Sequence, residues 1–175
     1  MKTWNIDVAH SEIGFKVKHL VVSTVRGSFN VFEGHITAED ETFDNASIAF
    51  SADVASLTTK NTARDAHLHG TDFFDEAQFP KVNFVSTSVK AKGDGVLDIV
   101  GDFTMKGVTK SISLAGQLTG VTTDLYGGHV AAFEVSGQLN RQDFGVSWNA
   151  VLETGGVAVS DMVTLEAIIE VKEQA

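Results

Sequence analysis

The residues able to do chemistry are few. The chain has six histidines and no cysteine, so thiol catalysis, disulfides and thiolate metal sites are excluded. His67 and His69 lie two positions apart, a spacing that does not converge on a helix. No His-Glu-x-x-His or Gly-x-Ser-x-Gly motif occurs, so neither a zinc-protease helix nor a nucleophile elbow is expected. His10 precedes Ser11, but neighbours on a strand point to opposite faces. An enzymatic reading, hydrolytic or metal-dependent, requires His10, His19, His67 and Asp65 to converge within hydrogen-bond or ligand distance. Two of the three arginines have acids beside them, in Arg64-Asp65 and Arg141-Gln142-Asp143, and mutual salt bridges are the simplest expectation. The functional alternative places Arg64, Asp65, His67, Asn140 and Arg141 together at one end of the fold, where they hold a polar head group by charge-assisted hydrogen bonds. Arg141→Ala would then change head-group affinity more than stability. No glycine-rich loop joins a strand to a helix, so no nucleotide and no other cofactor is expected.

Composition narrows the partners. Thirteen basic residues against 23 acidic ones give a net charge of −10, which repels nucleic-acid backbones and anionic membrane surfaces. With 175 residues, 43% of them hydrophobic, one domain over 1–175 with a sizeable core is expected. The opening residues, Met1 to Asp7, do not form a signal peptide. No stretch approaches the roughly 20 apolar residues of a membrane-spanning helix, so a cytoplasmic protein without stable membrane insertion is expected.

The elements that must position these side chains follow from alternation with period two. Segment 11–19 places Ile13, Phe15 and Val17 on one face, with His19 continuing that phase. Segment 24–37 carries Val25, Gly27 and Phe29 in phase; Phe32, Gly34 and Ile36 then continue in the opposite phase, which predicts a bulge near Val31-Phe32. Segment 46–54 aligns Ile48, Phe50 and Ala52, and segment 81–89 puts Val82 and Phe84 together. Segment 96–105 aligns Leu97, Ile99, Gly101 and Phe103, and 110–120 aligns Ile112, Leu114 and Gly116. Segment 129–139 aligns Phe133, Val135 and Gly137, and 162–171 aligns Leu165, Ala167 and Ile169. Short connections at 92–95 and 105–108 imply antiparallel neighbours. Eight long strands with in-phase glycines predict an all-β protein, an eight-stranded antiparallel barrel.

Alternation fails at 57–79 and 140–160, between strands three and four and between strands seven and eight. A short helix is expected in the first insertion, followed by a helical turn starting at Thr71 or Asp72. Two readings of the inward face follow. One is an ordinary packed core. The other is a pocket for a long apolar molecule, lined by Phe15, Val17, Phe29, Phe50, Phe84, Leu97, Ile99, Phe103, Leu114, Phe133, Leu165 and Ile169, with the alternating small residues leaving room. Burial contributes about 0.8 kcal/mol per CH₂, so a tail of ten carbons gains about 8 kcal/mol without a charged partner.

Seven motifs occur in order: Trp4-x-Ile6-Asp7-x-x-His10-Ser11-x-Ile13-x-Phe15, Lys18-His19, Arg26-Gly27-x-Phe29, Arg64-Asp65-x-His67-Leu68, Asp72-Phe73-Phe74-Asp75 with Phe79-Pro80, Gly101-Asp102-Phe103-Thr104-Met105-Lys106-Gly107-Val108-Thr109-Lys110, and Asn140-Arg141-x-Asp143-Phe144-Gly145. Together they resemble the YceI-like family over essentially the whole chain. The resemblance implies a lipocalin-like barrel, often dimeric, that binds a polyisoprenoid or related long-chain lipid inside and does no catalysis. It also implies that Phe15, Val17, Phe29, Phe50, Phe84, Phe103 and Phe133 line the ligand site. His19, Arg64, Asp65, His67, Asn140 and Arg141 would form a polar entrance, with no metal. A polyprenol, a polyprenyl phosphate or a quinone would each fit that expectation.

Overall fold

The structure is a computed structural model that describes residues 1–175. Its strands are β1 (Lys2–Ile6), β2 (Glu12–His19), β3 (Ser23–Phe29), β4 (Phe32–Ala38), β5 (Ser47–Asp53), β6 (Leu57–Thr58), β7 (Lys81–Gly93), β8 (Val96–Met105), β9 (Val108–Thr123), β10 (His129–Asn140) and β11 (Val159–Glu173); helix α1 (Thr62–His69) follows β6. Every pairing is antiparallel. Strand β11 closes the barrel, pairing with β10 on one side and with both β1 and β2 on the other. Strands β1 and β2 are therefore one interrupted stave. Strands β3 and β4 form the next, and β5 and β6 the third, because β3 pairs with β2 and β6 while β4 pairs with β1 and β5. Five continuous strands complete a closed barrel of eight staves in sequence order.

The interruptions refine the sequence reading. Strand β1 lies before the first segment read from alternation, because five residues are too few to show a period. The phase slip at Val31-Phe32 is a full break between β3 and β4, not a bulge within one strand. Phe29 and Phe32 are both buried although three residues apart, which unbroken alternation forbids. The chain stays tied across the break, as Asp53 N donates to the Val31 carbonyl at 2.9 Å and Asn30 N to the Ser56 carbonyl at 3.3 Å. The helical turn expected at Thr71 or Asp72 is absent; residues 70–79 form hydrogen-bonded turns, with Phe73 N donating to Gly70 and Phe79 N to Asp75. In the second insertion only Arg141–Phe144 is helical, as one 3-10 turn.

The two-residue connection between β8 and β9 puts Lys106 at φ 51° and Gly107 at φ 73°, the left-handed pair of a type I′ turn that matches strand twist. The in-phase glycines make room, but for neighbouring side chains. A Cβ on Gly101 would lie 2.4 Å from the Phe84 ring and 2.6 Å from the Val85 carbonyl oxygen, so only glycine lets β7 and β8 approach there. At the far end of the barrel, Phe43 packs between Trp4 (5.4 Å between ring centres) and Phe133 (4.9 Å). No helix is long and apolar enough to cross a membrane.

Candidate functional site

The barrel interior is not filled. A cavity of about 230 Å³, counted as space open to the centre of a water molecule, lies along its axis. Thirty-two of the 36 residues around it are hydrophobic. The twelve apolar positions singled out from alternation all face it. Alternation works here because each inward residue on one strand pairs with an inward residue on the next, as in Phe15↔Leu165, Phe84↔Phe103 and Phe133↔Ile169.

Both insertions sit over one end of the barrel. Lys106 Nζ, in the β8–β9 turn, donates to the Thr71 carbonyl at 2.9 Å and to the Gly145 carbonyl at 3.4 Å, so it staples the two insertions together. The His67 ring stands edge-on to Trp148 at 4.8 Å and to Phe73 at 5.0 Å, while its Nε2 lies 2.8 Å from Asp72 Oδ2. Phe73, Phe74 and Val146 extend the cavity wall at this end.

The polar residues singled out from sequence do not form one open cluster. Arg64 and Asp65 do not bridge one another; both turn to Thr59. Arg64 Nε donates to Thr59 Oγ1 at 2.7 Å and Nη2 to the Thr59 carbonyl at 2.9 Å. Asp65 accepts from Thr59 N at 2.8 Å, from Thr59 Oγ1 at 2.6 Å and from Thr58 Oγ1 at 3.0 Å. Burial pushes the Asp65 carboxyl up, but the hydrogen bonds from Thr59 and Thr58 outweigh it and hold the group below the usual carboxylate range. Asn140 accepts from Gln142 N and caps the 3-10 turn. His19 ends β2 opposite Ser23 and Val159, outside the cavity wall. Arg141 alone of this set reaches the cavity. It is 3% exposed and donates to four main-chain carbonyls, those of Val146, Trp148, Val159 and Ser160. Burial draws its pKa down, against the pull of Asp161.

The four residues of the enzymatic reading are dispersed. Asp65 and His67 are committed as above, and His19 lies at the strand end. His10 lies on a turn between β1 and β2, 3.0 Å from Asp7 Oδ2 and 3.6 Å from Glu170 Oε1. Its neighbour Ser11 exchanges hydrogen bonds with the Glu170 main chain. Lys172 Nζ, 2.7 Å from Asp7 Oδ2, supplies positive charge inside this acidic group. The Lys172 and His10 contacts bring the Asp7 carboxyl down from 3.8 to about 2. A depressed carboxylate stabilises fully above its unfolded pKa, and the gain is lost as pH falls through the folded value. Wild type should therefore lose melting temperature between about pH 4 and 2 from this group. Asp7→Asn should show a shallower acid limb in thermal melts, and an unchanged limb would refute the assignment.

Sequence reasoning missed three aromatic contributors to the cavity wall. Phe43 lies in the loop between β4 and β5 at φ 57°, where no periodicity exists to read. Phe73 and Phe74 left a signal in the Asp72-Phe73-Phe74-Asp75 run, adjacent rings inside an otherwise polar insertion.

Comparison with known proteins agrees with this geometry. The family described as YceI-like domain matches residues 4–171. The UPF0312 protein of Staphylococcus aureus strain MSSA476 is 36% identical over 171 residues, covering 97% of each chain. Among solved structures, the Campylobacter jejuni YCEI protein is 28% identical with a TM-score of 0.79, covering 97% of this chain and 96% of that one. Burkholderia cenocepacia BcnA has a TM-score of 0.82 at 20% identity, over 94% of this chain and 98% of that one. A polyisoprenoid binding domain from Saccharophagus degradans superposes with a TM-score of 0.67 at 14% identity, over 98% of both chains.

Proposed function

This chain belongs to the YceI-like family, and we propose that it binds and carries a long-chain isoprenoid lipid in its barrel without catalysing a reaction on it. The observation that carries this reading is the unfilled cavity, walled almost wholly by apolar side chains. Protein interiors ordinarily pack to crystal density, so an apolar void inside the barrel is a place kept for an apolar guest. The dispersal of His10, His19, Asp65 and His67 supports a carrier over an enzyme. The binding named for the Saccharophagus degradans domain, which shares the fold, is consistent with the same ligand class.

Native mass spectrometry of the purified protein, with organic extraction of what it holds, tests the proposal. A mass increment that extracts as a prenyl lipid, or a rise in melting temperature with an added prenol, is the expected result. No extractable lipid and no shift with prenols would sink it. Sedimentation analysis of the same sample checks the homodimer that the family resemblance implies.

A further inference from the structure

The end of the barrel that carries the insertions also carries exposed aliphatic side chains. The turn between β2 and β3 presents Leu20, Val21 and Val22, and the second insertion presents Val151 and Val157. Val151 and Val157 bridge one another across a tight turn at Gly155 and Gly156. The two tips touch. A Cβ on Gly156 would lie 3.3 Å from Val21 Cγ2, and Leu20 N donates to the Ala158 carbonyl at 3.0 Å. A few residues inward, Val17 and Val159 line the cavity, so the apolar tips adjoin the apolar wall.

Local backbone preference does not explain these side chains. Leu20 has φ 52° and Val21 φ 68°, a left-handed pair where Asn-Gly would be relaxed. A β-branched residue at positive φ is strained, and here it points an apolar group at solvent. Charge sets the patch apart as well. The chain has 23 acidic residues, yet 13–32 contain none while holding Lys16, Lys18 and Arg26. Lys18, beside the turn, donates to Thr24 Oγ1 at 3.2 Å. The facing segment 149–158 has one charge, Glu153. The field of the net −10 is thus weak at the tips. Five residues are far fewer than the roughly 20–30 a side of a stable protein interface. None is an aromatic or an arginine, the types that such interfaces favour.

We infer that these two tips dock the barrel on a lipid bilayer, dipping into its apolar edge, so that the guest passes between membrane and cavity at this end. The docking rests on the exposed tips; the passage of a guest rests on the isoprenoid-carrier reading. Lys18 has the reach to keep its ammonium among the head groups while the tips lie deeper. The tips expose roughly ten side-chain carbons, fewer than the about fourteen of a myristoyl chain, which alone binds membranes reversibly at about 10⁴ M⁻¹. Docking on the order of 10³ M⁻¹ is therefore expected, weak enough for the loaded protein to leave.

Flotation of the full chain with phosphatidylcholine vesicles, which carry no net charge, tests the docking. Val22→Asp with Val151→Asp places two charges at the tips, at positions 84% and 86% exposed, and should lower the partition coefficient at least about tenfold. Leu125→Asp with Tyr126→Asp is the control. It adds the same charge at the exposed β9–β10 turn, at the opposite end of the barrel, and should float as wild type does. Geranylgeraniol delivered from cyclodextrin, read by tryptophan quenching, should bind the tip variant as it binds wild type, since neither Val22 nor Val151 lines the cavity. Wild type that does not float, or equal loss in both variants, would overturn the docking even where geranylgeraniol binds. Wild type that sediments as a dimer and the tip variant as a monomer, with neither floating, would give the tips to a second copy and overturn it too. Flotation without geranylgeraniol binding would overturn the carrier reading and the passage of a guest.

Discussion

Arg141→Met should unfold the protein far more readily without acting first on any ligand. The substitution keeps an apolar stem of similar reach but orphans the carbonyls of Val146, Trp148, Val159 and Ser160. Each unsatisfied buried acceptor costs about 1–3 kcal/mol where water cannot replace the donor. Allowing for partial rescue by water at the loop edges, a loss of about 3–5 kcal/mol is expected. For a domain of this size that lowers the melting temperature by roughly 6–20 °C. The sequence pointed the other way, toward an effect on head-group affinity, because nothing local reveals that an arginine's partners are main-chain oxygens up to 19 residues on. Arg64→Met is the control. Arg64 is exposed and its bonds to Thr59 are local, so its loss should cost less than about 1 kcal/mol. Two variants that melt alike, within a few degrees of wild type, would show that the Arg141 bonds do not hold the insertion.

What the sequence made legible was whatever a strand's own geometry repeats. Phe15 and Val17, or Leu97 and Ile99, announce a shared face because side chains two apart on a strand lie on the same side. Pairing between neighbouring strands then carries that face around the barrel. The short type I′ turn was legible for the same reason, since Lys106-Gly107 accepts the left-handed backbone that strand twist demands. Contacts set by the closing of the barrel were not legible. Phe43 finds Trp4 and Phe133 only once β1 and β10 both border β11. Arg64 and Asp65 looked like partners because they are adjacent, yet on α1 both reach back to Thr59 at the foot of the helix. Asn61 caps the helix start by accepting from Arg64 N, and the Arg64 and Asp65 side chains tie down the loop before it. His67, Asn140 and Arg141 do lie in the two insertions over one end of the barrel, but their hydrogen bonds are made within each insertion and tie it to itself.

Ala167→Phe should weaken lipid binding roughly a hundredfold and leave the fold standing. Ala167 lies on β11 between Leu165 and Ile169, paired with Ile13 and Val135, and all five residues face the cavity. A benzyl side chain there projects into space that is already empty, so overpacking strain is small and stability should hold or rise. The same ring displaces three or four methylenes of any tail lying along the axis. At about 0.8 kcal/mol each, affinity for geranylgeraniol should fall by about 3 kcal/mol, or roughly a hundredfold. Ile168→Phe is the matched control, one residue along the same strand but 55% exposed on the outer face. It should bind as wild type does. The pair separates a tail held inside the barrel from a lipid adsorbed to its surface. Interior binding requires that only Ala167→Phe lose the ligand, with both variants melting near wild type. If Ala167→Phe kept wild-type affinity, the tail would not occupy the axis of the barrel. Loss of binding in both variants would place the lipid on the outer face of β11.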